Sequence, residues 1–255
     1  MVDLVARAKF KSFHSRDKKM NNIYDLSQFY TPNARIAGVE PLSELAVWPH
    51  NIELCITRVP IRKRDGYSPE MITEFANKLK GCMVQNGVVF LVCYAPVECK
   101  HRPFEVAKIM SDAGFHHVDN IVIKKTWFPG KRSEINLVNS HEYVLYFCNG
   151  KVWNLDRLPV KNYLNSEEDS SCPGNTWEVT TGSLDETISF DLASLLMKMT
   201  DSLPGSIVFD PFMGNQSTLQ VALQLGHNFF GFEKDERRIK KYNKYLDKIK
   251  KTGEI

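Results

Sequence analysis

The chain has 255 residues, 43% hydrophobic and 25% charged, with a formal net charge of +3. That length and mixture suit one full-sized domain or two small ones, and they exclude collagenous, coiled-coil and disordered classes. The longest apolar run, Gly87 to Ala95, is strand-sized, and the charged start MVDLVARAKFKSFHSRDKK lacks an export signal's apolar stretch, so an intracellular protein, cytoplasmic or nucleoid-associated and without membrane contact, is expected.

Residues 1–48 have weak periodicity, broken by Pro32, Gly38 and Pro41, and are predicted to form an N-terminal arm with loops and a short helix. Residues 49–255 carry the regular pattern. Ile52 to Thr57 is an apolar run of strand length. Ser68-Pro69 opens a helix with proline at its first position, and Met71, Ile72, Phe75, Leu79 and Met83 recur at helical spacing. After Gly87, Val88 to Tyr94 is a buried strand. Pro103 opens a helix with Phe104, Ala107 and Met110 on one face, stopped by Gly114; Val118 to Ile123 and Tyr143 to Phe147 are further strands.

Residues 150–185 have few apolar runs and many Asn, Ser, Pro and Gly, and are predicted to be an irregular surface insertion. A helix from Asp191 to Asp201, a strand Ser206 to Asp210, a helix Ser217 to Leu225, a strand Asn228 to Phe232 and a last helix Asp235 to Lys251 complete the chain. Strands alternating with helices, apolar on both faces, predict an α/β fold with a doubly wound parallel sheet. Six cysteines show neither a CxxC pair nor metal-ligand spacing; Cys55, Cys93 and Cys148 fall inside strands and read as reduced, mostly buried thiols, and no metal site is expected.

The chemistry concentrates in Ile207 to Glu233. A buried strand ends in Asp210, a turn containing Gly214 leads into a helix, and the next strand ends in Glu233. Acids at the carboxyl ends of two adjacent strands suit a nucleotide-like ligand, with the second acid able to take both ribose hydroxyls. No dinucleotide fingerprint and no phosphate loop is present, so the inferred ligand has a ribose and no pyrophosphate. The competing reading is structural: Asp210 capping a helix and Glu233 at a surface strand end.

Asp210-Pro211-Phe212-Met213-Gly214-Asn215-Gln216-Ser217-Thr218 resembles the cofactor motif Asp-Pro-Phe-x-Gly-Ser-Gly-Thr-Thr of the permuted DNA amino-methyltransferases, in which the catalytic motif comes first. Gly226 to Glu233, Asn139 to Phe147 and Thr176 to Val179 resemble further pieces of the same family in the same order. The resemblance implies a three-layer, Rossmann-like methyltransferase fold with a mostly parallel central sheet. It also implies S-adenosylmethionine as cofactor and transfer to N6 of adenine or N4 of cytosine in DNA. Carried over by motif, Asp210, Phe212, Gly214, Asn215, Gln216 and Ser217 shape the cofactor pocket and Glu233 binds the ribose.

The family's catalytic tetrad, an Asp, Asn or Ser followed by Pro-Pro and an aromatic, aligns with Arg58-Val59-Pro60-Ile61. There the acceptor is replaced by a cation that only donates, and the stacking ring by an aliphatic, while the Pro60 carbonyl remains an acceptor. Arg58 turned inward would also repel a sulfonium. Gln216 stands where the family has glycine. Two readings follow: a DNA amino-methyltransferase homologue with an altered active site, or a catalytically silent relative that binds DNA or a protein partner, a homodimer included.

Arg58, Arg62, Lys63 and Arg64 lie beside the expected site, and Lys131 and Arg132 occupy a Pro-Gly turn; phosphate contact and a solvated loop are both open for them. Eight basic and three acidic residues between Asp235 and Lys251 read as the solvated face of a terminal helix. His141 and Glu142 read as a structural pair at a strand start, and Trp48, Trp127, Trp153 and Trp177 as packing residues.

Overall fold

A computed structural model describes residues 33–94, 99–124, 140–151, 155–156, 158–163, 174–179, 187–200 and 202–252. In chain order its elements are β1 (Ala34–Ala37), β2 (Ile52–Arg58), α1 (Pro69–Cys82), β3 (Met83–Cys93), α2 (Arg102–Asp112), β4 (His116–Lys124), β5 (His141–Cys148), α3 (Leu158–Tyr163), β6 (Thr176–Glu178), α4 (Phe190–Met199), β7 (Ile207–Asp210), α5 (Ser217–Gln224), β8 (Asn228–Phe232) and α6 (Glu236–Thr252). The eight strands form one sheet in the order β1-β8-β7-β2-β3-β5-β4-β6. It is mostly parallel; only β5 runs against its neighbours, β3 and β4.

Alternation along the strands divides the core in two. Leu54, Ile56, Phe90, Val92, Val144, Tyr146 and Val208 face α4, α5 and α6. Cys55, Val89, Leu91, Cys93, Leu145, Phe147 and Phe209 face α1 and α2. The result is the expected three layers. A register shift between Ile52 and Leu54 breaks the alternation locally, so Ile52 joins the second cluster although Leu54 faces the first. The helix entry read at Ser68 is capped as expected, its hydroxyl accepting from the Met71 amide at 3.1 Å, and α4 is capped by Ser189, whose hydroxyl accepts from the Leu192 amide at 3.2 Å. Burial pushes up the thiols of Cys55, Cys93 and Cys148.

Four readings change. Residues 34–37, placed in an arm of loops, form an edge strand parallel to β8. Phe104, placed on the inner face of α2, is 58% exposed, because Pro103, Val106, Ala107 and Met110 fill that face. Met83, counted on α1, begins β3 instead. The segment at 150–185, read as irregular, contains α3 and the edge strand β6, whose Trp177 is buried. Residues 1–32, Trp127 and Trp153 lie outside the described residues.

Trp48 ties the segment before β2 to the core. It is 5% exposed, its ring centroid lies 4.9 Å from that of Phe209 and 6.1 Å from that of Phe232, and its Nε1 donates to the Pro41 carbonyl at 2.7 Å. Trp48→Ala should lower stability by about 3–5 kcal/mol through cavity formation; equilibrium urea unfolding measures this.

Candidate functional site

Strands β2, β7 and β8 are adjacent and parallel, so their carboxyl ends open on the same edge of the sheet. A cleft of about 580 Å³ lies there. Arg58 to Arg62 line it after β2, Pro211 to Met213 after β7, and Phe232 to Lys234 after β8, with Tyr94 and Arg238 at its sides. The size suits a small-molecule ligand.

The two acids differ in surroundings. Asp210 is 3% exposed and turned inward. Its Oδ1 accepts from the Thr57 hydroxyl at 2.6 Å and the Phe212 amide at 3.3 Å, and its Oδ2 accepts from the Thr218 hydroxyl at 2.7 Å. This carboxyl joins β2, the turn after β7 and α5. Burial pushes it up from its ordinary 3.8 to about 6, against the hydrogen bonds that pull it down.

Glu233 lines the cleft and is 5% exposed. Its Oε1 accepts from the amides of Lys234 and Asp235 at 2.9 and 3.0 Å. Its Oε2 is enclosed and accepts no hydrogen bond, although a guanidinium nitrogen of Arg238 lies 3.6 Å away. The ion pair with Arg238 offsets the Glu233 charge but leaves the hydrogen-bonding capacity of Oε2 available to a donor.

The turn after β7 divides by role. Phe212 faces the cleft, while the Gly214 carbonyl accepts from the Tyr242 hydroxyl at 2.9 Å. A Cβ on Gly214 would meet the Thr187 methyl at 3.0 Å, so the glycine admits the segment before α4. Asn215 holds the Ile188 carbonyl at 3.0 Å and accepts from the Ser217 amide at 3.3 Å. Ser217 is buried at the start of α5, and Gln216 Oε1 is enclosed without a hydrogen bond.

At the end of β2, the Arg58 guanidinium forms a two-pronged pair with Glu142, 3.1 Å on each prong, and one nitrogen also donates to the Thr187 carbonyl at 3.3 Å. The two side chains are 11% and 8% exposed. Arg58 is in register with Val92 on β3, and Val92 with Val144 on β5. Because β5 runs in the opposite direction, its beginning lies at the carboxyl ends of β2 and β3, and Glu142 meets Arg58 there. Val59 and Ile61 are 3% and 5% exposed and belong to the α1–α2 side of the core.

The basic loop after Ile61 makes a single turn of 3-10 helix at Lys63–Asp65, closed by Gly66 at φ 98°. Arg62 borders the cleft with its guanidinium over the Tyr94 ring, 5.8 Å from the centroid, and Lys63 is exposed. The Arg64 side chain, Lys131 and Arg132 lie outside the described residues. Among the described residues, no cluster of His, Cys, Asp or Glu is placed to hold a metal ion.

The family model for DNA methylases of the N6/N4 type matches residues 65–244. The chain belongs to this family. The match begins inside the loop that follows β2, beyond Arg58 to Ile61. The type II methyltransferase M.HinfI of Haemophilus influenzae is 26% identical over 161 residues, 58% of this chain and 44% of that protein. The chain thus spans less than half the length of that curated relative. The M1.HpyAVI–SAM complex aligns with a TM-score of 0.61 at 17% identity, over 83% of this chain and 99% of that one. The cytosine-N4-specific PvuII DNA methyltransferase aligns with a TM-score of 0.65 at 15% identity, over 82% and 85%. These likenesses are of fold: α/β, three-layered and Rossmann-like.

In this DNA methylase family member, the structure gathers Arg58, Pro60, Ile61, Phe212 and Glu233 around one cleft and sets Asp210 and Gly214 to Ser217 behind it. Sequence reasoning missed two residues. Tyr94 is passed over because it follows the second strand of the regular pattern and not the first; β3, which it follows, lies next to β2, and that adjacency brings it to the cleft. Glu142 was read as pairing with His141; instead His141 Nε2 lies 3.0 Å from the Tyr143 hydroxyl, while Glu142 points to the other face of β5 and binds Arg58.

Glu142→Ala should destabilise the fold by about 3–5 kcal/mol, since it leaves a buried guanidinium unpaired, whereas Arg58→Met combined with Glu142→Leu should recover most of that loss. Denaturant midpoints of the single and double variants compare the two. Asp210 gives a pH signature. Its folded pKa is raised, so its stabilising contribution is present below about pH 3.8 and is lost as pH rises through about 6. Between pH 4 and 7 the wild type should therefore lose up to about 3 kcal/mol relative to Asp210→Asn, followed by urea unfolding across that range.

Proposed function

We propose that this chain is a DNA amino-methyltransferase homologue that holds S-adenosylmethionine in the cleft at the ends of β2, β7 and β8, with the target-amine end of the site altered. The observation that carries the reading is the contrast between the two ends of the cleft. Glu233 keeps an enclosed acceptor open at one end, and at the other the Arg58–Glu142 pair occupies the tetrad position.

The residues fit the cofactor. Glu233 Oε2 would accept from a ribose hydroxyl, and Pro211, Phe212 and Met213 would form an apolar wall. When bound, S-adenosylmethionine supplies a methyl group on a sulfonium. Glu142 offsets the Arg58 charge, so the repulsion expected of an inward arginine is weakened by its partner. The target end suits transfer poorly. Arg58 accepts no hydrogen bond from an exocyclic amine, leaving the Pro60 carbonyl as the acceptor there, and Ile61 is packed into the core where a stacking ring would stand. A cation at that point also disfavours the positive charge that grows on an attacking nitrogen. Tyr94, at the end of the neighbouring strand, places a ring in the cleft beside the tetrad position. DNA would approach along Arg62, Lys63 and Arg64, with Lys131 and Arg132 joining from the sequence.

The Arg58–Glu142 pair also favours a second reading, a catalytically silent relative that binds DNA or a protein partner, a second copy of the chain included. Calorimetry and a tritiated methyl-transfer assay on mixed-sequence DNA separate the two. Wild type should bind S-adenosylmethionine, and Glu233→Ala should weaken binding at least tenfold, since a hydrogen bond to a charged acceptor contributes about 1.5–3 kcal/mol. Wild type should transfer little methyl to adenine or cytosine. Arg58→Asp, Val59→Pro and Ile61→Tyr should be combined with Glu142→Gln, because a carboxylate at position 58 would otherwise face Glu142. Transfer gained by that variant supports the altered-enzyme reading. Binding with no gain supports the silent one. No binding at millimolar ligand removes the cofactor from both, and efficient methylation by the unmodified chain overturns the altered-site assignment.

A further inference from the structure

Helix α6 carries a charge pattern that packing does not require. At 3.6 residues per turn, Arg237, Lys240, Lys241, Lys244, Lys248 and Lys251 fall within an arc of about 100°. All six are exposed. The opposite side holds the helix to the protein: Tyr242 and Leu246 are buried, and Tyr245 and Ile249 pack against the same core cluster. Arg237 is held by Asp235 at 3.2 Å, while among the described residues the five lysines pair with no acid. The other acids of the helix, Glu236 and Asp247, sit at the margins of the arc.

A solvated helix face is most stable with alternating signs. Here Arg237 and Lys241, Lys240 and Lys244, and Lys244 and Lys248 are like-charge neighbours at i,i+4, each pair destabilising by a few tenths of a kcal/mol, and the opposite-charge spacings Glu236–Lys240 and Asp247–Lys251 offset only part of that. Arg237 and Arg238 in the first turn also oppose the helix dipole, whereas Glu236 there and Lys250 and Lys251 in the last turn favour it. The fold bears these costs in one continuous stripe about 21 Å long, at a rise of about 1.5 Å per residue. Over that length duplex DNA presents roughly a dozen backbone charges.

We infer that the exposed face of α6 is a second DNA-binding surface that grips the phosphate backbone without reading sequence. The choice of DNA rests on the family reading above. A lipid surface fits less well, because the apolar side chains of α6 face the core and none is left to enter a bilayer. The helix begins beside the cleft, whose wall Arg238 lines from a position outside the stripe.

Fluorescence anisotropy with a labelled mixed-sequence duplex, between about 50 and 200 mM salt, tests the inference. Lys240→Ala, Lys244→Ala and Lys248→Ala together should weaken binding at least tenfold at the lowest salt. They should also reduce the slope of log affinity against log salt by up to about 2.7, at about 0.9 for each phosphate no longer neutralised. Calorimetric binding of S-adenosylmethionine by the same variant, compared with wild type, reports whether the cleft is intact. Unchanged affinity and slope overturn the inference. If Arg62→Ala with Lys63→Ala and Arg64→Ala then abolishes DNA binding, the family reading stands without the helix. Wild type that fails to bind the duplex at low salt, while still binding the cofactor, likewise removes the helix surface and leaves the cleft assignment in place. Lysine-dependent binding to phosphatidylserine vesicles, with DNA binding unaffected, would assign the stripe to lipid and overturn the proposal.

Discussion

One buried carboxyl holds the functional edge of the sheet together. Asp210 sits where β7 ends, and its two oxygens take donors from β2, from the turn that follows and from α5. An acid in that position is costly unless every lone pair that matters is engaged, because burial penalises its charged form. Two short hydrogen bonds from Thr57 and Thr218 and a longer one from the Phe212 amide meet that demand and tie three elements together. Phe212, which lines the cleft, is held there by its amide, which donates to Asp210 and to the Thr57 hydroxyl.

The second constraint is the reversal of β5. In an all-parallel sheet the start of a strand lies at the opposite edge from the site. Running antiparallel, β5 delivers Glu142 to the edge where β2 ends, and Glu142 meets the cation that the chain carries at the tetrad. An unpaired buried guanidinium there would be strongly destabilising. Arg58 and Glu142 therefore form a unit, and a change at one alters the environment of the other. The cleft so formed has an acceptor without a hydrogen bond at Glu233 and a closed ion pair at Arg58.

Much of this was legible in the residues. Apolar runs placed six strands, and the Ser68-Pro69 cap, Gly114 and Gly226 marked helix boundaries through local geometry that needs no tertiary contact. The order of the motif pieces pointed to the family, and the sequence placed Glu233 at the end of a strand, where the structure finds it lining the cleft. Edge strands were harder. Ala34 to Ala37 has only four residues, and its strand state comes from pairing with β8. The inward face of α2 was misassigned by one position because Phe104, although apolar, yields to Pro103 and Val106 on the buried side.

The sequence by itself determined which elements form, which strand ends carry acids and where the cation stands in the tetrad, since these depend on residue type and on spacing along the chain. Only the tertiary structure decided what those charges meet. Glu142 lies 84 positions from Arg58, and Thr57 lies 153 from Asp210. No periodicity relates such residues; strand order and strand direction do. A side chain's partner across a sheet is set by the register of strands that are distant in the chain, and that register is fixed by the packing of the whole core rather than by the local sequence.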